Sequence, residues 1–209
     1  MAPLPASGPA FSPPATMSAQ TLLILALAVV ALLGLVLGVR LARRREPPEE
    51  DVVALLRRGA FVSELHAQTP AEAIAELVRA LGSLLTGRKR SARDAVLERE
   101  LLATTGLGDE VAIPHAAVEG LDRPLLALGR APGGIDFGAH DGRPARIVFL
   151  LLIPPQAFEE EVRILGSIAR ATIEQRARDE IVAAASLEEV TQVLARSAKR
   201  TRDSMRAPA

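Results

Sequence analysis

The ten residues "ARIVFLLLIP", Ala145 to Pro154, constrain this chain more than any other stretch. Side chains of a β-strand point alternately to opposite faces, so a half-exposed strand alternates apolar with polar. Here both parities are apolar, which is the pattern of a central strand covered on each side. The other elements supply the cover. Thr69-Pro70-Ala71-Glu72 has a capping threonine, a proline suited to the first turn and a glutamate three residues after the cap. Ile74, Leu77, Val78 and Leu81 follow at helical spacing. A second helix is predicted over about Ser91–Leu101, with Val96, Leu97 and Leu101 inward. A long helix from Phe158 carries Val162, Leu165, Ile168, Ala169 and Ile173 on one stripe. Ser186-Leu187-Glu188-Glu189 opens a last helix with Val190, Val193 and Leu194 inward, and past Arg196 the basic tail, 197–209, is expected to fray. "VAIP" (Val111–Pro114) and "PLLALGR" (Pro124–Arg130) read as further strands, and Gly133-Gly134 and Asp141-Gly142 as turns. Helices alternate with strands, so the predicted class is α/β, a mixed sheet flanked by helices.

A different element precedes this domain. No charged side chain occurs from Met1 to Val39, and Leu22 to Val39 is an unbroken apolar run. As a helix it would rise roughly 27 Å, close to the hydrocarbon thickness of a bilayer. Arg40, Arg43, Arg44 and Arg45 follow at once, which sets the downstream chain on the cytoplasmic side. The reading is therefore a Pro/Ala/Ser-rich disordered N-terminus over 1–20, a single transmembrane helix over 21–41, a charged linker over 42–50, and a domain over 51–196. A cleaved signal peptide fits less well, because the region before the apolar run lacks a basic residue and no small-residue cleavage site separates the run from the arginines. Met17 offers an alternative start. Gly34 and Gly38 form a G-x-x-x-G pair, a spacing too common in apolar helices to fix an oligomeric state.

Composition removes several functions. The 25 basic and 25 acidic residues balance, and the chain has five Phe and no Tyr or Trp, so neither bulk charge nor stacking platforms favour nucleic acid. It has no cysteine, hence no thiolate metal site and no Cys nucleophile. No metal-ligand spacing, phosphate-binding loop or Ser-His-Asp signature occurs, and no cofactor is expected.

What remains is "TGLGDEVAIPHA", Thr105 to Ala116. Pro114 restricts the backbone ahead of His115, one of only three histidines, at the end of a short strand. Gly106 and Gly108 permit a tight turn and a close approach to a ligand. Taken alone, His115 reads more readily as a hydrogen-bonded loop histidine than as a reactive one. The longer segment "LERELLATTGLGDEVAIPHA" resembles the phosphohistidine segment of the EIIA type-2 domains of the bacterial sugar phosphotransferase system, the fructose, mannitol and nitrogen-regulatory class. Arg99-Glu100, Thr104-Thr105-Gly106-x-Gly108 and Ala112-Ile113-Pro114-His115 match that pattern, and "GGIDFGAHDGRPARIVFLLLIP" is similar to the segment that follows in the family.

The resemblance implies the family's fold and a phosphoryl group accepted by His115 Nε2 from phospho-HPr. It also implies charge stabilisation by Arg99 and an anion cradle from the backbone of Thr104, Thr105, Gly106 and Gly108. Onward transfer to an EIIB-type acceptor, or signalling to an unknown membrane protein, would follow at the inner bacterial membrane. No fused EIIB or EIIC segment occurs in the chain, which favours regulation over sugar uptake. One position departs from the family. "EVRILGSIA" places Glu161 where the family has a second active-site histidine. A carboxylate beside a phosphoryl group is repulsive, so an EIIA-like interaction module that is not phosphorylated stands as the alternative.

Overall fold

The computed structural model describes residues 52–206. The expected disordered N-terminus, membrane helix and linker (1–20, 21–41 and 42–50) lie outside the described residues. Among the described residues no helix is long and apolar enough to cross a membrane.

The order is α1 (Val52–Arg58), β1 (Ala60–Val62), α2 (Pro70–Ala80), α3 (Lys89–Leu102), β2 (Gly106–Gly108), β3 (Val111–Ala112), β4 (His115–Ala117), β5 (Leu125–Ile135), β6 (Ala145–Ile153), α4 (Phe158–Thr172), α5 (Gln175–Ala183) and α6 (Leu187–Arg206). The strands form one mixed sheet in the order β1-β5-β6-β3-β2, with β4 also on β6. β5 runs antiparallel to β6 along one edge. On the other edge β3 and then β4 pair parallel with β6, Ala112 opposite Val148 and His115 opposite Leu151. Pro114 sits between the two, and its carbonyl accepts the Leu151 N–H at 3.0 Å. The proline lacks an N–H, but its carbonyl keeps the segment in the ladder at this point.

The double-faced character of β6 is realised residue by residue. Val148, Leu150 and Leu152 join Ile74, Leu77, Leu81 and Val96 in the core beneath α2 and α3. Ile147, Phe149, Leu151 and Ile153 join Leu55, Ile164, Ile168, Ile181 and Leu194 in the core beneath the other four helices. The Thr69 cap forms as predicted, with the Glu72 N–H donating to Thr69 Oγ1 and the Thr69 N–H to Glu72 Oε2.

Four sequence readings are corrected. Leu101 is not inward: it is 88% exposed, beside Leu102 at the end of α3. Gly133-Gly134 is not a turn between strands but an irregular stretch within β5, where the register with β6 shifts between Arg130 and Ile135. The stripe read on the Phe158 helix holds only in part: Ile168 is buried and Leu165 packs partly buried against the core, but Ile164 and Ala171 are the other buried positions, whereas Val162 and Ile173 are more than half exposed. Finally, residues 197–206 do not fray, because α6 continues to Arg206. Its inward stripe goes on in small polar residues, Ser197 and Thr201, both buried, and Thr201 Oγ1 donates to the Arg170 carbonyl at 3.3 Å. Arg200 pairs with Glu174 at 2.8 Å. An apolar periodicity search does not see a stripe built from serine and threonine.

Gly59 fixes the approach of α1 to the sheet. A Cβ there would lie 1.7 Å from the Leu126 carbonyl oxygen, a backbone atom that cannot swing away. Gly59→Ala is expected to lower unfolding free energy by about 2–3 kcal/mol, seen as a reduced urea midpoint with the slope unchanged.

Candidate functional site

His115 opens β4, which pairs with β6 and packs against α3. Its Nδ1 lies 2.8 Å from the Ile113 carbonyl oxygen. A carbonyl only accepts, so Nδ1 carries the hydrogen and, in a neutral ring, Nε2 holds the lone pair. Nε2 lies 3.5 Å from Glu161 Oε1, and the two side chains are only 15% and 18% exposed. The residue at the departing position therefore faces Nε2 directly rather than pointing to solvent. With Glu161 ionised, a hydrogen on Nε2 is attracted to it, and a lone pair or a phosphoryl oxygen is repelled.

Beside the ring lies a cavity of about 370 Å³, lined by Thr104, Thr105, Gly106, Leu107, Ile113, His115, Leu165, Gly166 and Ala169. The structure thus brings His115, Thr104, Thr105 and Gly106 to one cavity and Glu161 to its edge. Gly108 lines the adjoining cavity instead, with Asp109 and Arg170. Arg99 lines neither. It is half-buried near the end of α3, where Nη1 donates to the Ala103 carbonyl at 3.1 Å. That bond satisfies an end-of-helix acceptor.

The polar groups around Thr104–Gly106 are already engaged. Glu100 Oε1 accepts the Thr105 N–H at 3.1 Å, and Glu100 Oε2 accepts the Thr105 hydroxyl. Thr104 Oγ1 accepts the Gly106 N–H at 3.1 Å and donates to the Phe137 carbonyl. The glycines accommodate protein rather than a ligand. A Cβ on Gly106 would sit 3.0 Å from Ala139, and one on Gly108 would sit 2.9 Å from His140 Cε1. The 136–142 loop packs across β2 because those side chains are missing.

The turn from β2 to β3 is strained and strongly anchored. Gly108, Asp109 and Glu110 all have positive φ, 95°, 51° and 66°. A non-glycine residue there costs on the order of 1 kcal/mol. Several side chains hold it. Asp141 Oδ2 accepts the Asp109 N–H at 2.7 Å, Arg143 pairs with Glu110 at 2.9 Å, and Arg146 reaches Glu110 at 3.3 Å. Arg178, buried at 3% exposure, contacts Asp109 at 3.3 Å while donating to the Thr172 and Ile173 carbonyls at the end of α4. The main-chain hydrogen bonds to Asp141, from Asp109 and then Arg143, hold its carboxyl below the ordinary aspartate range.

Sequence reasoning missed three contributors. Leu165, Gly166 and Ala169 line the cavity, yet Leu165 and Ala169 belong to the stripe read as core. Two apolar stripes one residue apart wind around α4, and periodicity does not tell which one meets the sheet. The Glu100 contact to Thr105 was signalled only by the Arg-Glu pair. Asp141 was read as a turn residue and is also the anchor of the strained turn. Among the described residues no three His, Asp or Glu side chains converge as metal ligands would.

The fold is shared with solved IIA domains. The nitrogen regulatory protein IIA-Ntr of Neisseria meningitidis superimposes with a TM-score of 0.61 at 27% identity, over 68% of this chain and 98% of that one. The IIA mannitol domain of Escherichia coli gives 0.55 at 25% identity, over 65% and 95%. Residues 54–197 match the family described as "Phosphoenolpyruvate-dependent sugar phosphotransferase system, EIIA 2", and the chain belongs to that family. Relatives include a nitrogen regulatory protein of Bradyrhizobium diazoefficiens, 32% identical over 71% of this chain and 95% of its own. Another is a fructose-specific EIIA component of Haloferax volcanii, 39% identical over 50% of this chain and 68% of its own.

Because the Asp141 carboxyl is depressed in the folded state, its contribution is present above the ordinary aspartate range and lost as pH falls through the lowered value. Protection of the Asp109 amide against hydrogen exchange is expected to fall over that acid window. Asp141→Asn is expected to lower the protection at neutral pH and to remove this acid step.

Proposed function

We propose that the chain is a phosphoryl-accepting EIIA type-2 domain, tethered by residues 22–39 to the cytoplasmic face of the bacterial inner membrane, with a regulatory role in the phosphotransferase system. The observation that carries this reading is the hydrogen bond from His115 Nδ1 to the Ile113 carbonyl. It leaves Nε2 as the only nitrogen of the neutral ring with a lone pair. In the transfer, that lone pair attacks the phosphorus of the donor phosphohistidine of HPr. The new N–P bond forms at Nε2 as the donor's N–P bond breaks, and the bonding electrons return to the donor imidazole. The protein's part is to position the groups and to balance charge on the three equatorial oxygens. Thr104 and Thr105 line the cavity where those oxygens would come. Arg99 would have to leave the Ala103 carbonyl to reach them, a rearrangement within reach of a long side chain at a helix end. The solved complex of the Escherichia coli mannitol IIA with phosphorylated IIB supports an EIIB-type partner as one onward acceptor.

Glu161 favours a second reading, an EIIA-shaped module that signals by binding a membrane transporter or channel without accepting phosphate. At about 4 Å and an effective dielectric near 20, each like-charge contact costs roughly 4 kcal/mol before screening and reorientation. The two readings differ in one assay. The chain is incubated with phosphoenolpyruvate, enzyme I and HPr, and its intact mass is read at mildly basic pH. One added phosphate that disappears in His115→Ala is the expected result. A wild type that gains none beside fully charged HPr would leave the binding module as the function.

The position of Glu161 makes a further prediction. Glu161→Gln is expected to slow spontaneous loss of the phosphoryl group and to raise its steady-state occupancy, by at least about tenfold if only a third of the contact energy above is realised. An unchanged half-life would mean that Glu161 turns away in the phosphorylated state.

A further inference from the structure

We infer that Glu100 is the positioning residue that sets which nitrogen of His115 is free. Three hydrogen-bonded steps join them. The Glu100 carboxylate receives both the N–H and the hydroxyl of Thr105. The Thr105 carbonyl accepts the Ile113 N–H at 3.0 Å. The Ile113 carbonyl accepts the His115 Nδ1 hydrogen at 2.8 Å. Each link runs in the same sense, acceptor to donor, from the carboxylate to the imidazole. The links meet at Cα atoms rather than within single amides, so Glu100 acts by position: it places Thr105, and through the Thr105–Ile113 bond the backbone whose carbonyl holds Nδ1.

The series also settles a competition. Glu161 draws a hydrogen onto Nε2, which would leave Nδ1 free. The Ile113 carbonyl draws it onto Nδ1, and the tautomer of an imidazole is set by the hydrogen bond its other nitrogen makes. Glu100 adds weight to the Ile113 side. It also holds the 104–106 backbone flat against β3, because its two oxygens fix the main chain and the side chain of Thr105 at once. Without it, the Thr105 segment keeps its bond to Ile113 and the Gly106 N–H bond to Thr104, but loses both contacts that fix the Thr105 N–H and hydroxyl.

The test uses the full chain, labelled with ¹⁵N at its three histidines, in detergent micelles at about pH 9, where an unperturbed imidazole is neutral. In wild type the His115 Nδ1 is expected to show the protonated shift and Nε2 the unprotonated one. In Glu100→Ala the ring is expected to move toward the Nε2-protonated form, with the Ile113 amide shift moving as well. Glu100→Gln keeps one acceptor for the Thr105 N–H and is expected to restore most of the wild-type tautomer. Should Glu100→Ala fail to fold, Thr105→Val, which removes the hydroxyl link, carries the same comparison with a partial shift. This arm needs no phosphorylation, so it stands apart from the proposed function. A second arm rests on that function. The transfer rate from phospho-HPr is expected to fall about tenfold or more with KM unchanged, and part of the remaining product to appear as the Nδ1 isomer. A merely structural Glu100 would lower the melting temperature and leave tautomer, isomer and KM-against-kcat split untouched. That outcome would overturn the inference.

Discussion

The outer edge of β6 is where this molecule is organised. β6 is apolar on both faces and paired on both edges, by β5 on one and by one short segment, residues 111–117, on the other. That segment contains Pro114, whose carbonyl bonds to Leu151. The backbone on either side is therefore fixed against the most buried strand of the protein. His115 inherits this rigidity: a side chain opposite Leu151 has little freedom in where its ring begins.

Around that fixed ring the polar groups are arranged with little slack. Thr105 and Gly106 spend their N–H groups on Glu100 and Thr104, and the turn that follows is held in left-handed geometry by Asp141, Arg143 and Arg178. A strained turn persists only where its surroundings over-determine it, and here one carboxylate, the three guanidiniums of Arg143, Arg146 and Arg178, and a packed loop do so. The cost is that an incoming anion finds few unengaged donors. Either the Thr104–Gly106 region exchanges internal partners for external ones, or the charge comes from a partner protein.

The family's features and its departure thus sit within one contact of each other. Nδ1 is anchored to a carbonyl, and Nε2 faces Glu161 at 3.5 Å. Under the proposed function, a site with both would hold a phosphoryl group briefly or conditionally, which fits regulation better than bulk relay.

The sequence alone determined the sheet's centre, the α2 cap, the α/β class and the segment that carries His115, because these rest on local rules: alternation along a strand, a threonine three residues before a glutamate, an ordered motif. It did not determine which of two apolar stripes on α4 is core. Nor did it show that Ser197 and Thr201 carry α6 past Arg196, or that Arg99 turns to Ala103 while Glu100 takes Thr105. Those outcomes depend on what lies across from each face once the chain has closed. Burial and hydrogen-bond partnership are properties of pairs of residues distant along the chain, and only the tertiary structure brings such pairs together.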